Sequence, residues 1–220
     1  PLTAAVSRGV DLQLFWIIDD INEAEAMVAR NGAGITKPTD LRGKKIAVPF
    51  VSTTHFHTMF ALETWGIKPT EVKLLNMQPN QIAAAWEQGT IDAAFIWPPV
   101  QTQILATGKR IVGANQTAEW GYPTFNAWVA NTEFAAAHKD ELVAFAKTMD
   151  AANQAYLADP AAWTADNASV KAIASLTGAT AEQIPEVLTG YTFIPLKDQL
   201  SEKWLGSAAA KMKATAEFLK

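Results

Sequence analysis

The sequence contains no cysteine, and this absence excludes disulfide bonds, thiolate metal sites and a cysteine nucleophile. It contains no run of about 18 consecutive apolar residues, so it has no candidate membrane span. It has no long basic run, and its formal net charge of −4 gives no electrostatic footprint for nucleic acid or an anionic membrane. It also lacks a Walker loop, a dinucleotide fingerprint and a nucleophile elbow. Function must therefore come from other local sites.

The composition predicts a folded globular protein. Of the 220 residues, 49% are hydrophobic and 18% are charged, a balance that can fill a sizeable core. We predict no metal site, because His55 and His57 lie on different faces of a helix and His138 has no ligand spacing around it. The absence of cysteine fits an oxidising compartment such as the periplasm. The chain starts at Pro1, so we expect any secretory signal to have been removed or to lie outside this sequence.

Residues 45–113 alternate between strand and helix patterns. Strands are predicted over residues 45–49, 72–76, 92–97 and 109–113, and helices over 53–65, 79–88 and 99–107, with Gly66 and Gly89 as stops. This alternation predicts an α/β fold with a parallel sheet and helices on both faces. From residue 132 the chain is Ala-rich and helical in period, with helices predicted over 133–157 and 201–220 and a short extended piece near 191–194.

Two short segments share one pattern. The same order of residue types occurs in residues 25–31 and in residues 126–132: a polar residue, alanine, a large apolar residue, valine, alanine and then polar residues. If the chain leaves one lobe along the first segment and returns along the second, Glu25 and Asn126 occupy matching positions near a cleft. The other interpretation is a chance similarity of two short strands.

The strongest local feature is Ser52-Thr53-Thr54, which lies between the end of a predicted strand and the start of a helix. The free N–H groups and positive dipole end of such a helix can bind an anion, and three hydroxyls can add donors. The alternative is an ordinary Ser/Thr helix cap, which explains one hydroxyl well and three less well.

Aromatic and acidic residues supply further candidates. Trp97 follows the third predicted strand, at the end of a parallel sheet where ligands bind, and it either forms a pocket wall or packs between lobes. The same two interpretations apply to Trp120. Asp20 and Glu25 belong to an acidic run in which one or two carboxylates could receive a ligand ammonium, while the others are solvated surface.

Several motifs together resemble the periplasmic sulfonate, nitrate, taurine and thiamine-precursor binding proteins of bacterial ABC importers, and the taurine branch above all. The likeness is nearly collinear with the chain, and it rests on residues 37–50, Ser52-Thr53-Thr54-His55, Trp65-Gly66-Ile67-Lys68-Pro69, Gln78-Pro79, Ala84-Ala85-Trp86, Gly89-Thr90-Ile91-Asp92-Ala93, Trp97-Pro98-Pro99 and Trp120-Gly121-Tyr122-Pro123-Thr124.

The resemblance implies a two-lobed, type II periplasmic binding protein fold whose first lobe is incomplete at the N-terminus. It assigns residues 1–44 to lobe I, 45–124 to lobe II and 125–220 to the return to lobe I and the C-terminal helices. It implies that Ser52, Thr53 and Thr54 hold a sulfonate and that Trp97 forms the wall beside them. The taurine branch can carry an Asp where this sequence has Asn126, so we expect Asp20 or Glu25 to supply the charge for an ammonium group.

The implied function is capture of taurine or a similar aminosulfonate for a membrane permease, with no bond broken, no cofactor and no nucleic-acid partner. The protein itself would not span the membrane, and its expected location is the periplasm or, with a lipid anchor, the extracytoplasmic face. Alternatives are a binding protein for an alkylsulfonate, nitrate or a pyrimidine, a ligand-sensing domain of a larger receptor, or a pyrimidine-precursor synthase with His55 as its functional histidine.

Overall fold

The structure is a computed structural model that describes residues 1–121 and 123–218. The chain forms two compact units: unit 1 comprises Pro1–Asp20, Phe125–Asn167 and Thr192–Lys220, and unit 2 comprises Ile21–Thr124 and Ala168–Tyr191. In chain order the helices and strands are α1 (Leu2–Val6), β1 (Leu12–Asp20), β2 (Ala26–Arg30), β3 (Lys45–Val48), α2 (Thr53–Thr64), β4 (Lys73–Asn76), α3 (Pro79–Glu87), β5 (Ala93–Ile96), α4 (Val100–Leu105), β6 (Gly108–Gly113), α5 (Ala114–Glu119), β7 (Phe125–Asn131), α6 (Thr132–Ala137), α7 (Lys139–Ala158), α8 (Ala168–Thr177), α9 (Ile184–Thr189), β8 (Thr192–Phe193) and α10 (Leu205–Phe218).

Unit 2 is built on a five-stranded sheet in the order β4-β3-β5-β2-β6. Successive side chains of a strand point to opposite faces of a sheet, so Ile46 and Val48 of β3 enter one core while Ala47 enters the other. In β2, Met27 and Val28 divide between the two cores in the same way. The sheet therefore has packed side chains on both faces, which explains why its three inner strands, β3, β5 and β2, are mainly apolar without polar alternation.

The predicted α/β fold is confirmed, and the four strands predicted over residues 45–113 run in the same direction, but the sheet also contains an antiparallel strand, β2, that the alternation did not predict. β3 pairs in parallel with β4 and β5, but β2 lies between β5 and β6 and is antiparallel to both. The predicted strands and helices of residues 45–113 are present with ends that differ by at most two residues. Gly66 and Gly89 stop α2 and α3 with φ of +64° and +66°, the left-handed conformation that glycine adopts without steric cost.

Unit 1 contains a three-stranded antiparallel sheet in the order β7-β1-β8, with α7 as its longest helix. The predicted helix over residues 133–157 is two helices, α6 and α7, because His138 between them has φ −125° and ψ 44°. The predicted extended piece near 191–194 is the short strand β8. Strand β1, which the sequence patterns did not predict, is the centre of this sheet.

Two predictions about organisation are corrected. The predicted boundary at residue 45 moves to Ile21, because β2 pairs with β5 and β6 of unit 2, and residues Ala168–Tyr191 also belong to unit 2. The segment of residues 25–31 is not the crossing between the units, because the chain enters unit 2 at Ile21 and β2 lies within the sheet of that unit, whereas β7 pairs with β1 in unit 1. Among the described residues, no helix is long and apolar enough to cross a membrane, and no group of three acidic or histidine side chains could hold a metal ion.

Candidate functional site

Three of the predicted site segments meet at one edge of the sheet in unit 2. β3 and β5 run in parallel with Ala47 opposite Ala94, so the segments that follow them, Ser52-Thr53-Thr54 and Trp97, leave the sheet at the same edge. β2 runs the other way with Ala26 opposite Ile96, so Glu25, the residue before β2, lies at this edge too. Ligands of α/β proteins bind at this edge of the sheet.

The segment before α2 is held in a fixed conformation by its own hydrogen bonds. Ser52 is the N-cap of α2, and its Oγ accepts the N–H of His55 at 3.1 Å. The same hydroxyl donates to the carbonyl of Pro49, and Val51 between them has φ +62°. A β-branched residue is rare at positive φ, so this segment carries backbone strain next to the helix start.

The hydroxyls of Ser52, Thr53 and Thr54 are all hydrogen-bonded within the protein. The single proton of Ser52 goes to Pro49, so the Thr54 hydroxyl donates in the 2.8 Å contact between Thr54 Oγ1 and Ser52 Oγ. Thr53 Oγ1 donates to Glu25 Oε1 at 2.6 Å. The three hydroxyls thus have partners within the protein, and their contribution to an anion site stays a prediction. The first N–H groups of a helix lack intrahelical acceptors, so the backbone of Thr53 and Thr54 provides the donors that remain.

Glu25 is a buried carboxylate at this helix start. Its side chain is about 95% buried, since its exposed fraction is 5%, and it accepts the Thr53 hydroxyl. Its backbone carbonyl accepts the N–H of Ala114, the first residue of α5, at 2.9 Å. Glu25 thus joins the first turn of α2 to the first turn of α5, and it places a carboxylate beside helix donors.

Two histidines of α2 have different surroundings. His55 stacks on Phe50 with ring centroids 4.4 Å apart, and its Nδ1 accepts the N–H of Val51 at 3.3 Å. His57 is completely buried between Thr117 and Thr124, and this burial lowers the pKa of its imidazole from 6.5 to about 3. Sequence reasoning treated His57 only as a poor metal ligand, because a single histidine on a helix forms no recognisable motif.

The structure places the two candidate tryptophans at different positions. Trp97 is partly buried against the core of unit 2, directly after β5 and at the edge that holds Glu25. Trp120 lies after the last turn of α5, and its ring contacts Trp65 edge to face at 6.2 Å. Because Trp65 follows the last turn of α2, the structure does not bring Trp120 to the start of that helix. Tyr122, which belongs to the same sequence motif as Trp120, lies outside the described residues.

Asp20 and Asn126 belong to unit 1. Asn126 of β7 is paired across the sheet with Asp19 of β1, and its Nδ2 donates to Asp19 Oδ1 at 3.0 Å. Asp19, which the sequence did not single out from the acidic run, is 5% exposed. Desolvation raises the pKa of its carboxyl from 3.8 to about 6, although the hydrogen bond from Asn126 lowers it. The hydrogen-bond partner of Asn126 is therefore Asp19.

Comparisons with known proteins agree with this architecture. The family described as NMT1/THI5 like matches residues 2–163. The taurine-binding periplasmic protein of Escherichia coli strain K12 is 37% identical over 220 residues, which are 100% of this chain and 68% of that protein. This relative is a solute-binding protein and not an enzyme.

Solved structures of binding proteins share the fold. The periplasmic aliphatic sulphonate binding protein of Escherichia coli superposes with a TM-score of 0.79 at 22% identity, covering 99% of this chain and 70% of that one. The alkanesulfonate-binding protein of Xanthomonas axonopodis pv. citri, solved with MOPS bound, has a TM-score of 0.77 at 20% identity and coverages of 100% and 74%. These likenesses confirm the predicted type II periplasmic binding protein fold.

Proposed function

Because the chain belongs to the NMT1/THI5-like family, we propose that it is a periplasmic solute-binding protein that captures taurine or a similar aminosulfonate for an ABC importer. The 37% identity to a taurine-binding periplasmic protein supports this ligand class. The ligand would be released to a membrane permease. Binding needs no cofactor and breaks no bond.

The sulfonate group is held by the start of α2. The N–H groups of Thr53 and Thr54 point along the helix axis from its positive end, where an anion is stabilised. Ser52 contributes indirectly, because its hydroxyl caps the N–H of His55 and fixes the direction of the first turn. Thr54 is fully buried, so its contribution is limited to its backbone.

The observation that carries the proposal is the 2.6 Å hydrogen bond from Thr53 Oγ1 to Glu25 Oε1. It places a buried carboxylate one side chain away from the helix donors, so positive and negative ends of a zwitterion find opposite charges within one site. The sulfonate and the Glu25 carboxylate are both negative, and two like charges about 5 Å apart repel by ~3 kcal/mol at an effective dielectric constant of 20. An ammonium group on the ligand offsets this repulsion, and an alkylsulfonate has none. Glu25 therefore favours an aminosulfonate over an alkylsulfonate that lacks the ammonium.

Trp97 supplies an apolar surface for the two methylene groups between the charged ends. Trp120 is left out of this proposal, because its ring contacts Trp65 at the other end of α2. Unit 1 carries its own polar candidates, Asp19, Asp20 and Asn126, and we propose Asp19 as its principal carboxylate because it is buried and held by Asn126.

Calorimetric titration with taurine and with ethanesulfonate tests the proposal. The wild-type protein should bind taurine more tightly than ethanesulfonate. Glu25→Gln should lower the affinity for taurine by about tenfold or more, since charge-assisted hydrogen bonds contribute about 1.5–3 kcal/mol. The affinity of this variant for ethanesulfonate should be unchanged or higher. Glu63→Gln is the matched control, because Glu63 is an exposed residue of the same helix.

Two outcomes would contradict this. Equal losses of both ligands in Glu25→Gln would mean that Glu25 supports the fold of the site and does not recognise the ammonium. A wild-type preference for ethanesulfonate would assign the protein to alkylsulfonates.

A further inference from the structure

His57 closes a ring of hydrogen bonds that includes Glu25. Along this ring Thr53 Oγ1 donates to Glu25 Oε1, the N–H of Ala114 donates to the Glu25 carbonyl, and Thr117 Oγ1 donates to the Ala114 carbonyl at 2.9 Å. His57 Nδ1 then lies 2.6 Å from Thr117 Oγ1. Thr53 and His57 are one turn apart on α2, so the ring returns to the helix on which it began.

Both nitrogens of the imidazole are within hydrogen-bond distance of a threonine hydroxyl. Nδ1 lies 2.6 Å from Thr117 Oγ1, and Nε2 lies 2.7 Å from Thr124 Oγ1. A neutral imidazole has one donor and one acceptor nitrogen, so one of these hydroxyls accepts from His57 and the other donates to it. The contact of the Thr117 hydroxyl with the Ala114 carbonyl favours Nδ1 as the nitrogen that carries the proton.

This arrangement is more specific than simple packing. His57 and Thr117 are both fully buried, and burying an imidazole is unfavourable unless both nitrogens have partners. An apolar side chain could fill the same space, and it would also stack on Phe95 as the imidazole does at 5.7 Å. Unlike an apolar side chain, the imidazole also forms a hydrogen bond with Thr117 of α5.

We propose that His57 is a positioning residue for aminosulfonate recognition, which acts by clamping α2 to α5 and so holding Thr53 against the Glu25 carboxylate. This inference rests on the proposed function. Without the clamp, α2 is free to rotate slightly, Thr53 moves away from Glu25, and the distance between the anion donors and the carboxylate is no longer fixed. The residue would then control the ratio of affinities for taurine and ethanesulfonate without touching either ligand.

The two nitrogens allow a sharp mutational test. His57→Asn keeps a donor near the position of Nδ1 and can still reach Thr117, whereas His57→Gln places its amide near the position of Nε2 and can reach Thr124 only. We expect His57→Gln and Thr117→Val to reduce the ratio of taurine to ethanesulfonate affinity by about tenfold, a typical effect of one broken buried hydrogen bond. His57→Asn should retain most of the ratio.

Thr58→Val is the matched control. Thr58 is a fully buried threonine of the same helix whose hydroxyl donates within α2, to the Thr54 carbonyl at 2.7 Å. The Thr58→Val variant should lose stability as Thr117→Val does, but it should keep the wild-type ratio of taurine to ethanesulfonate affinity. If the Thr117→Val and Thr58→Val variants change the ratio equally, or if neither changes it, the positioning role is overturned. Thr117→Val also provides the test if His57→Gln does not fold.

A spectroscopic measurement examines the clamp without any ligand. Nitrogen-15 NMR of the wild-type protein should show one neutral histidine protonated at Nδ1 among the three of the chain, and this signal should be absent from His57→Asn. Protonation at Nε2 would overturn the proposed ring. If the wild-type protein binds neither sulfonate, the proposed function is wrong and the recognition role is overturned with it, even where the NMR signal shows that the clamp exists.

Discussion

Replacing Asp19 by asparagine should stabilise the ligand-free protein above pH 6. Burial raises the pKa of the Asp19 carboxyl to about 6 in the folded protein, against 3.8 for the ordinary group. Between these values the folded state binds a proton that the unfolded state does not, so the contribution of Asp19 to stability is largest below about pH 4 and is lost as the pH rises through 6. The difference between the two pKa values corresponds to about 3 kcal/mol. The side chain of the asparagine would carry no charge, and its carbonyl could still accept from Asn126.

Urea unfolding followed by tryptophan fluorescence from pH 4 to pH 8 measures this effect. The free energy of unfolding of Asp19→Asn should equal that of the wild type near pH 4 and exceed it by about 3 kcal/mol at pH 7.5. Asp198→Asn is the control, since Asp198 is an exposed aspartate of unit 1, and such surface changes stay within about 0.5 kcal/mol.

A difference that does not vary with pH, or a loss of stability in Asp19→Asn at pH 7.5, would refute the reasoning. A confirmed gain would show that unit 1 keeps a carboxylate that destabilises it, as expected for a residue retained for binding. The same unfolding measurement with taurine present would then test whether Asp19 binds the ligand. If the ligand ammonium lies at Asp19, taurine should reduce the stability gain of Asp19→Asn over the wild type.

Three other changes give distinct results. Ser52→Ala removes the N-cap of α2, so it should lower the free energy of unfolding by about 1 kcal/mol and weaken the binding of both taurine and ethanesulfonate. Asn131→Ala removes the N-cap of α6 in unit 1, so it should lower stability by a similar amount without changing the affinity for either sulfonate. Equal affinities in the two variants would contradict the anion site. Val51→Gly should raise stability by about 1 kcal/mol, measured by thermal unfolding, because glycine accepts φ +62° without strain; a lower melting temperature would contradict this. Lowering the pH from 6.5 toward 3 should destabilise unit 2 by up to about 1.4 kcal/mol per pH unit, because the unfolded state protonates His57 and the folded state does not. In urea titrations, His57→Asn should remove this dependence of the free energy of unfolding on pH. An unchanged dependence in the variant would refute its assignment to His57.

The sequence predicted the elements of unit 2 because their signals are local. Gly66 and Gly89 mark helix ends through backbone conformations that glycine favours, and the apolar runs of β3 and β5 are typical of strands buried on both faces. The place of β2 could not be predicted in this way. Its antiparallel position between β5 and β6 depends on pairing with residues far along the chain, and no local pattern encodes such a partner.

Within the candidate site, residue types were easier to predict than hydrogen-bond directions. The cap by Ser52 follows from its position before a helix, but the donation of the Thr53 hydroxyl to Glu25 depends on how β2 packs beside β3 and β5. Asp19 was not singled out because burial distinguishes it from its neighbour Asp20, and an acidic run does not reveal which carboxylate is buried. His57 was missed for a similar reason, since its partners Thr117 and Thr124 lie about 60 residues away.

The position of β2 between two other strands also sets an order for folding during synthesis. A ribosome releases Ala26–Arg30 well before Ala93–Ile96 and Gly108–Gly113, the two strands that must flank it. At 5–20 residues per second, the roughly 80 residues from β2 to the end of β6 take on the order of 4–16 s to synthesise. During that interval β2 has two unpaired edges and apolar side chains on both faces, which are the properties of a segment prone to aggregate. A nascent chain that stops before residue 113 therefore exposes a strand whose first four residues are buried in the finished unit.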